Sequence, residues 1–503
     1  MKRLRFYPIS KTALLFVLLL ACVVAYRFYV LDVFAFRFID SDQAIMWLGT
    51  TDYAAGIFHE PRFYGQDYNT MLESLLAIPL YWCGVPLYLA LPVITTLLTL
   101  LPFVLLAVLT FRKRSQAAGL LILLIPLLLP FEYDMMTSLP RGFVTGIAVS
   151  SACLAAVFYP DSRKALFFAG LFCVLGYSVN ANAAIISLPC LLYLFVHNFR
   201  NRSFYIFCGT GIVAGAGIHL AIAGFYLLHP HYVVHSYVLT YESQFLLHGL
   251  SGMDKFFNPV APIFWKNGFL VLPLFLLFAW LLYRKNNKAA ALSFLLIPFM
   301  IIATLGLSKV HDGGPSAFFS LSRMYLGIPV LLALAVSFFP IRTAKWQIFI
   351  LLHPVLLVVL KVQNTRDYIG GELKENGTFK ITTVPKLRKR CDDLNRLAQQ
   401  LDVELIVIGD HGYYDFYAYG CPACDEQFPR TLRPGSDRRA WRVADEENRV
   451  YDRLLIVDEQ RKLHEEYGNV SAVAGTTDAY LVTGNAKPLR ELLRAMKYPM
   501  RRY

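Results

Sequence analysis

The feature that most limits this chain is a series of apolar stretches, each close to the ~20 residues a helix needs to cross a bilayer. Eleven can be marked before residue 363: 12–31, 87–111, 116–131, 142–159, 165–179, 183–198, 203–227, 268–283, 289–307, 323–339 and 346–362. Backbone amides and carbonyls find no water in hydrocarbon, so such a series folds as a bundle of helices. Composition agrees: 56% of the 503 residues are hydrophobic and 17% charged, where a soluble domain carries about 25% charged. Residues 363–503 break the pattern and read as a soluble domain. The expected fold class is a polytopic α-helical membrane protein of about 11 spans (1–362) with a small C-terminal α/β domain (363–503).

Charge orients the bundle. Residues 363–503 hold 23 Lys+Arg and 22 Asp+Glu, so nearly all of the net +13 belongs to the membrane part. That distribution argues against a nucleic-acid partner, which would need a basic face on a soluble domain. The basic residues cluster at every second connection: Lys2-Arg3-Leu4-Arg5, Arg112-Lys113-Arg114, Arg163-Lys164, Arg200-Asn201-Arg202, Arg284-Lys285…Lys288 and Arg342…Lys345. Positive residues in short loops mark the cytoplasmic side. The N-terminus is therefore expected inside, and an odd number of spans places the C-terminal domain outside. Met71–Trp82 is too short to cross and is read as an interfacial helix on the outer leaflet. Of the 13 acidic residues before position 363, only Asp161 falls in a predicted inner loop.

Polarity collects in the outer connections 32–86, 228–267 and 308–322, while the spans are nearly clean. A transporter would carry polar groups at mid-span. The pattern points instead to chemistry at the outer membrane surface. Asp40 and Asp42 follow the first span closely, beside Ile39, Ile45 and Trp47. A carboxylate held at headgroup depth suits a general base; equally, Asp42 just before AIMWL suits a helix N-cap. The loop histidines His229, His231, His235 and His248 match no known metal-ligand spacing.

Phe63-Tyr64-Gly65-Gln66-Asp67-Tyr68, followed by Leu72-Glu73 and Pro79, resembles a segment of the first outer loop in GT-C glycosyltransferases. These enzymes use polyprenyl-phosphate sugars and include the protein O-mannosyltransferases and the lipid A aminoarabinose transferases. Asp42-Gln43 stands where that group usually has Asp-Glu, so a second carboxylate is missing. Pro140-Arg141-Gly142-Phe143 and Ser322-Arg323-Met324-Tyr325 are weaker similarities. The resemblance implies a GT-C-like fold and transfer of a hexosyl or pentosyl group, with inversion, to an outer glycan, lipid or protein at a bacterial inner membrane. It implies Asp42 as the base with Asp40 beside it. Arg141, Arg323, Tyr325 and Lys309 would hold the donor phosphate, and Tyr64, Gln66, Tyr68 and Glu73 would shape the sugar or acceptor site. It implies no definite cofactor, and Asp40 leaves open a divalent cation with acidic ligands, as in some relatives.

In the C-terminal domain, 384–401 has helical spacing, 403–409, 454–457 and 479–482 read as buried strands, and 487–497 reads as a final helix. Cys421-Pro422-Ala423-Cys424 lacks the helix that should follow a redox motif, and outside the cytoplasm a structural Cys421–Cys424 disulfide is expected. Asp410-His411-Gly412 follows a strand end, where α/β units often bind ligands. Two other functions fit parts of the pattern. A flippase for a lipid-linked saccharide would rely on Asn180 and Asn182; a non-catalytic envelope assembly protein would rely on the C-terminal domain.

Overall fold

The computed structural model describes residues 11–262, 267–314, 316–341, 347–376, 381–409, 415–458, 463, 467–498 and 500. Three sequence expectations lie outside these residues: the N-terminal basic cluster, Arg342…Lys345, and the Asp410–Tyr414 segment.

A helix lies on each of the eleven apolar segments. In chain order the helices are α1 (Lys11–Val30), α2 (Ser41–Ala54), α3 (Leu72–Trp82), α4 (Leu87–Lys113), α5 (Gln116–Leu128), α6 (Phe131–Met136), α7 (Thr145–Val149), α8 (Ser151–Ala156), α9 (Arg163–Val179), α10 (Ala184–His197) and α11 (Arg202–Leu228). They continue with α12 (Ser243–Ser251), α13 (Met253–Phe257), α14 (Val271–Arg284), α15 (Lys288–Leu305), α16 (Ile328–Ser337) and α17 (Gln347–Asn376). Four helical stretches among the described residues are long and apolar enough to cross a membrane unaided: Lys11–Ala35, Leu87–Lys113, Arg202–Leu228 and Lys288–Leu305. The expected span 142–159 is split between α7 and α8 at Ser150, whose hydroxyl bonds back to the Gly146 carbonyl at 2.8 Å. Such back-bonding competes with the helix ladder and bends it.

The connections fall into two sets that bond among themselves. On the basic side, Arg114 donates to Ser337, Lys113 to the Phe158 carbonyl and Asn198 to the Pro160 carbonyl. Helices leaving that side start on a capping side chain: Ser115, Ser162, Asn201 and Asn287 each accept a backbone N–H of the first turn. On the other side, Arg27 meets Asp134, Arg62 meets the Ser178 carbonyl, Asn69 meets the Arg141 carbonyl and Asn182 meets the Arg323 carbonyl. This second set carries the acidic residues.

Strand β1 (Phe38–Asp40), just past α1, pairs antiparallel with β2 (Ile381–Thr383). The entry to the C-terminal domain is thus stitched beside the start of α2. Helix α17 runs unbroken through 362–363, so the expected domain boundary falls inside a helix; the apolar run ends there, but no helix-stopping residue follows it. Beyond β2 come α18 (Val384–Leu401), β3 (Leu405–Ile408), α19 (Asp415–Cys424), β4 (Arg430–Leu432), α20 (Ala440–Glu446), β5 (Leu454–Val457), β6 (Val470–Ala472), β7 (Ala479–Val482) and a last helix Leu489–Ala495. The sheet order is β4-β3-β5-β7-β6, with β3 parallel to β4 and β5, and β7 antiparallel to β5 and β6. The three strands expected from the sequence are the sheet's interior. The two that were not legible, β4 and β6, are three-residue edges with too little pattern to read.

One apolar core joins α2 and the connection after it to α18, α19 and the strands; Ile45, Trp47, Phe63, Leu387, Tyr419 and Leu455 all belong to it. The expected Cys421–Cys424 disulfide is replaced by Cys391–Cys421, which ties α18 to α19, and Cys424 is free. The segment through the cysteines is helical, and two cysteines three apart on one helix point along it. Cys391 on the facing helix presents its Cα 5.2 Å from that of Cys421, inside the range a disulfide spans.

Candidate active site

Asp40 and Asp42 are two residues apart in sequence and have separate tasks. Asp40 is the N-cap of α2: its side chain accepts the Gln43 N–H at 2.9 Å, and its carboxylate also pairs with the Arg141 guanidinium. Asp40 is 4% exposed and Arg141 6%. The capping role the sequence suggested for Asp42 thus belongs to Asp40. Arg141 also donates to the Phe318 carbonyl, so its charge is neutralised within the fold and little of it is left for a phosphate. Asp42 sits in the first turn of α2 with its side chain 35% exposed.

Around Asp42 the second set of connections converges. Arg323 donates to Asp312 at 2.9 Å and lies over the Phe319 ring. Lys309 stands 3.4 Å from the same carboxylate and over the rings of Tyr68 and Tyr237. Tyr68 and His235 face each other and both sense the charges of Asp42, Asp312 and Arg438. Burial, reinforced by Arg438 and Lys309, holds the His235 imidazole below its ordinary value, so it is neutral near pH 7. Burial pushes the Tyr68 phenol up to about 12, with Arg438 opposing. Lys309 is lowered by burial and then by Arg323.

Arg438 was not foreseen from the sequence. It belongs to the C-terminal domain, and its Nη2 stands 3.9 Å from Asp42 Oδ1. No local pattern marks it; RRAW reads as a surface helix start. The signal lies in the other partner, the FYGQDY segment, in which Tyr64, Gly65 and Gln66 have docking tasks. Tyr64 donates to Asp52 at 2.8 Å and packs edge-on against Trp441, which stacks on His59 at 3.8 Å. Gly65 has φ +74°, and a Cβ there would come within 3.0 Å of the Arg438 backbone, so the loop and the domain approach as closely as only glycine permits. The Gly65 carbonyl accepts from Val234 and His235, which sets Gln66 beside His235. Tyr68 alone of these reaches the open cluster.

Other expected site residues lie elsewhere. Tyr64 is fully buried beneath Trp441. Glu73, with no exposed surface, accepts the Gly142 N–H at 2.6 Å and the Thr95 hydroxyl at 3.2 Å; burial raises it to about 7. It braces the turn at Gly142 (φ +74°), which Asn69 packs against. Tyr325 is 2% exposed, hydrogen-bonds Thr304 at 3.0 Å and packs on Phe257 within the helical core. Asn180 and Asn182 are spent on the Gly142 and Phe143 carbonyls. The donor set does not fit a divalent cation: Asp40 is taken by Arg141, while Asp42 and Asp312 each face a guanidinium. Among the described residues no three His, Cys, Asp or Glu side chains gather as ligands would.

No family profile matches the chain, and no curated protein matches it in sequence. Solved structures do match its fold. ArnT from Cupriavidus metallidurans in the apo state aligns with a TM-score of 0.56 at 14% identity, over 93% of this chain and 97% of that one. The same protein bound to undecaprenyl phosphate aligns at 0.54 and 13% identity, over 95% and 99%. Over nearly its whole length, this chain shares the fold of that protein, and its apolar helices make it a multi-pass helical membrane protein.

Proposed function

We propose that the protein transfers a sugar from a polyprenyl-phosphate donor to an acceptor on the outer face of a bacterial inner membrane, with its N-terminus cytoplasmic and its C-terminal domain outside. The observation that carries this reading is the open cluster of Asp42, Tyr68, His235, Lys309, Asp312 and Arg323 on the acidic side of a GT-C-like bundle. ArnT, similar in fold, binds undecaprenyl phosphate, and a phosphate lipid with its headgroup at this depth would meet these cations.

The chemistry asks little else of the protein. A phosphate is a good leaving group without an acid, so the reaction needs a base for the acceptor hydroxyl and cations for the departing oxygens. Asp42 is the base: it is the one carboxylate at the site that is neither capping a helix nor directly hydrogen-bonded to a cation among the described residues. Arg323 and Lys309 hold the phosphate, since a guanidinium fork matches two of its oxygens. Attack from the face opposite the phosphate inverts the anomeric centre. The full-length protein, offered a panel of polyprenyl-phosphate hexoses and pentoses with envelope glycans, lipids and proteins as acceptors, is expected to turn over at least one pair. Asp42→Asn is expected to lower turnover about 10²–10⁴-fold without lowering the melting temperature; full activity in that variant would remove Asp42 from the mechanism.

A further inference from the structure

The C-terminal domain closes over the site and brings one charge with it. Its loop 433–439 is held at both ends by Asp437, whose carboxylate accepts the Arg433 and Arg439 backbone N–H groups at 2.9 Å each and pairs with the Arg439 guanidinium at 2.7 Å. The Arg438 N–H donates to the Tyr419 hydroxyl at 3.1 Å, and its backbone rests on Gly65. The backbone is fixed, and the side chain is not spent. Arg438 Nη1 is buried without a hydrogen-bond partner among the described residues, and Nη2 is too far from Asp42 for a hydrogen bond. A buried guanidinium nitrogen left unpaired is unfavourable, and a ligand oxygen would satisfy it.

Counting charge shows what that ligand carries. Two carboxylates, Asp42 and Asp312, face three cations, Lys309, Arg323 and Arg438, so the site has one net positive charge; the buried Asp40–Arg141 pair adds none. A polyprenyl-phosphate sugar is a phosphodiester with one negative charge. In the proposed transfer the acceptor O–H proton passes to Asp42 and the acceptor oxygen bonds to the anomeric carbon. The carbon–oxygen bond to phosphate breaks with its electron pair on the phosphate. The product is a monoester that gains one negative charge as Asp42 loses one. Site and ligand stay matched through the reaction only when Arg438 is counted.

We propose that Arg438 is a phosphate-binding residue of this site, supplied by the C-terminal domain to balance the charge that gathers on the departing polyprenyl phosphate. This rests on the proposed transfer, and the test separates the two. Binding of a short-chain polyprenyl phosphate and of its methyl diester would be measured by the full-length protein in nanodiscs above pH 8. The wild type would be compared with Arg438→Ala, Arg438→Lys, Asp42→Asn and the Asp42→Asn/Arg438→Ala double variant. Arg438→Ala is expected to weaken the monoester about 10–100-fold, the worth of one or two charge-assisted hydrogen bonds, and the diester less. Arg438→Lys should recover most of the loss, Asp42→Asn should tighten the monoester, and the double variant should fall between. Equal monoester affinity in wild type and Arg438→Ala, or an equal loss for both ligands that Arg438→Lys does not repair, would overturn the assignment. If no sugar donor is turned over while Arg438→Ala still loses the monoester selectively, the reaction is wrong and Arg438 remains a phosphate ligand.

Discussion

Two clusters of charge on the acidic side of the bundle differ in one respect. In the first, Asp134 accepts from Tyr26 at 2.7 Å, Arg27 at 2.9 Å and Lys361 at 2.5 Å, with the three charged side chains no more than 2% exposed. Arg27 also reaches the Thr137 carbonyl and hydroxyl. In the second, Asp42 and Arg438 stand 3.9 Å apart at 35% and 25% exposure. Asp312, 34% exposed, serves Arg323 and Lys309 together. The first cluster is closed, and it locks α1 and α17 to the turn at α6. The second is open, with both carboxylates and the Arg438 side chain a quarter to a third exposed. Charge paired at hydrogen-bond distance in a dry core holds a fold together; charge that is partly exposed and more loosely paired is available to a ligand.

The sharpest way to break this contrast is to remove one carboxylate from each cluster. Asp42→Asn should lower turnover by about 10²–10⁴-fold, the usual worth of a positioned base, at unchanged melting temperature. Asp134→Asn should do the reverse. With the carboxylate gone, two buried cations face each other, a loss of about 3–5 kcal/mol readable as a lower denaturation midpoint in micelles, while turnover per folded molecule stays near wild type. If Asp134→Asn abolished turnover in well-folded protein, the division between the clusters would be wrong. Third in size is the disulfide. Cys391→Ser should cost the C-terminal domain about 3 kcal/mol, from the loop of roughly 30 residues it closes, and non-reducing peptide mapping should recover a Cys391–Cys421 pair. Cys424→Ser should change neither. Smallest is Lys309→Ala. Because Arg323 shares Asp312, losing the lysine should weaken polyprenyl phosphate about tenfold or less, and less than Arg323→Ala does, in a direct binding titration.

The fold class was legible because hydrocarbon leaves the chain few choices: eleven apolar runs with alternating basic ends specify helices and their order whatever side chains meet inside. Within the site, Asp42 and Tyr68 were legible from the family resemblance in the connection after the first span, and Lys309 and Arg323 as basic residues beside span ends. The tasks of their neighbours were not. Asp40 and Asp42 look alike in the sequence, and only the start of α2 decides which one caps the helix. Tyr64 and Glu73 read as part of a sugar site, yet their partners are Trp441 and Gly142.

The sequence by itself determined the helical membrane architecture, the segregation of acid from base and the strands at the centre of the C-terminal sheet, because each follows from local hydrophobicity and period. Tertiary structure alone decided that Cys391 is the partner of Cys421 and that Arg438 faces Asp42 across nearly 400 positions of chain. Such pairs carry no local signal; they exist because the apolar core between α2, α18 and α19 brings the domain down onto the connection between α2 and α3.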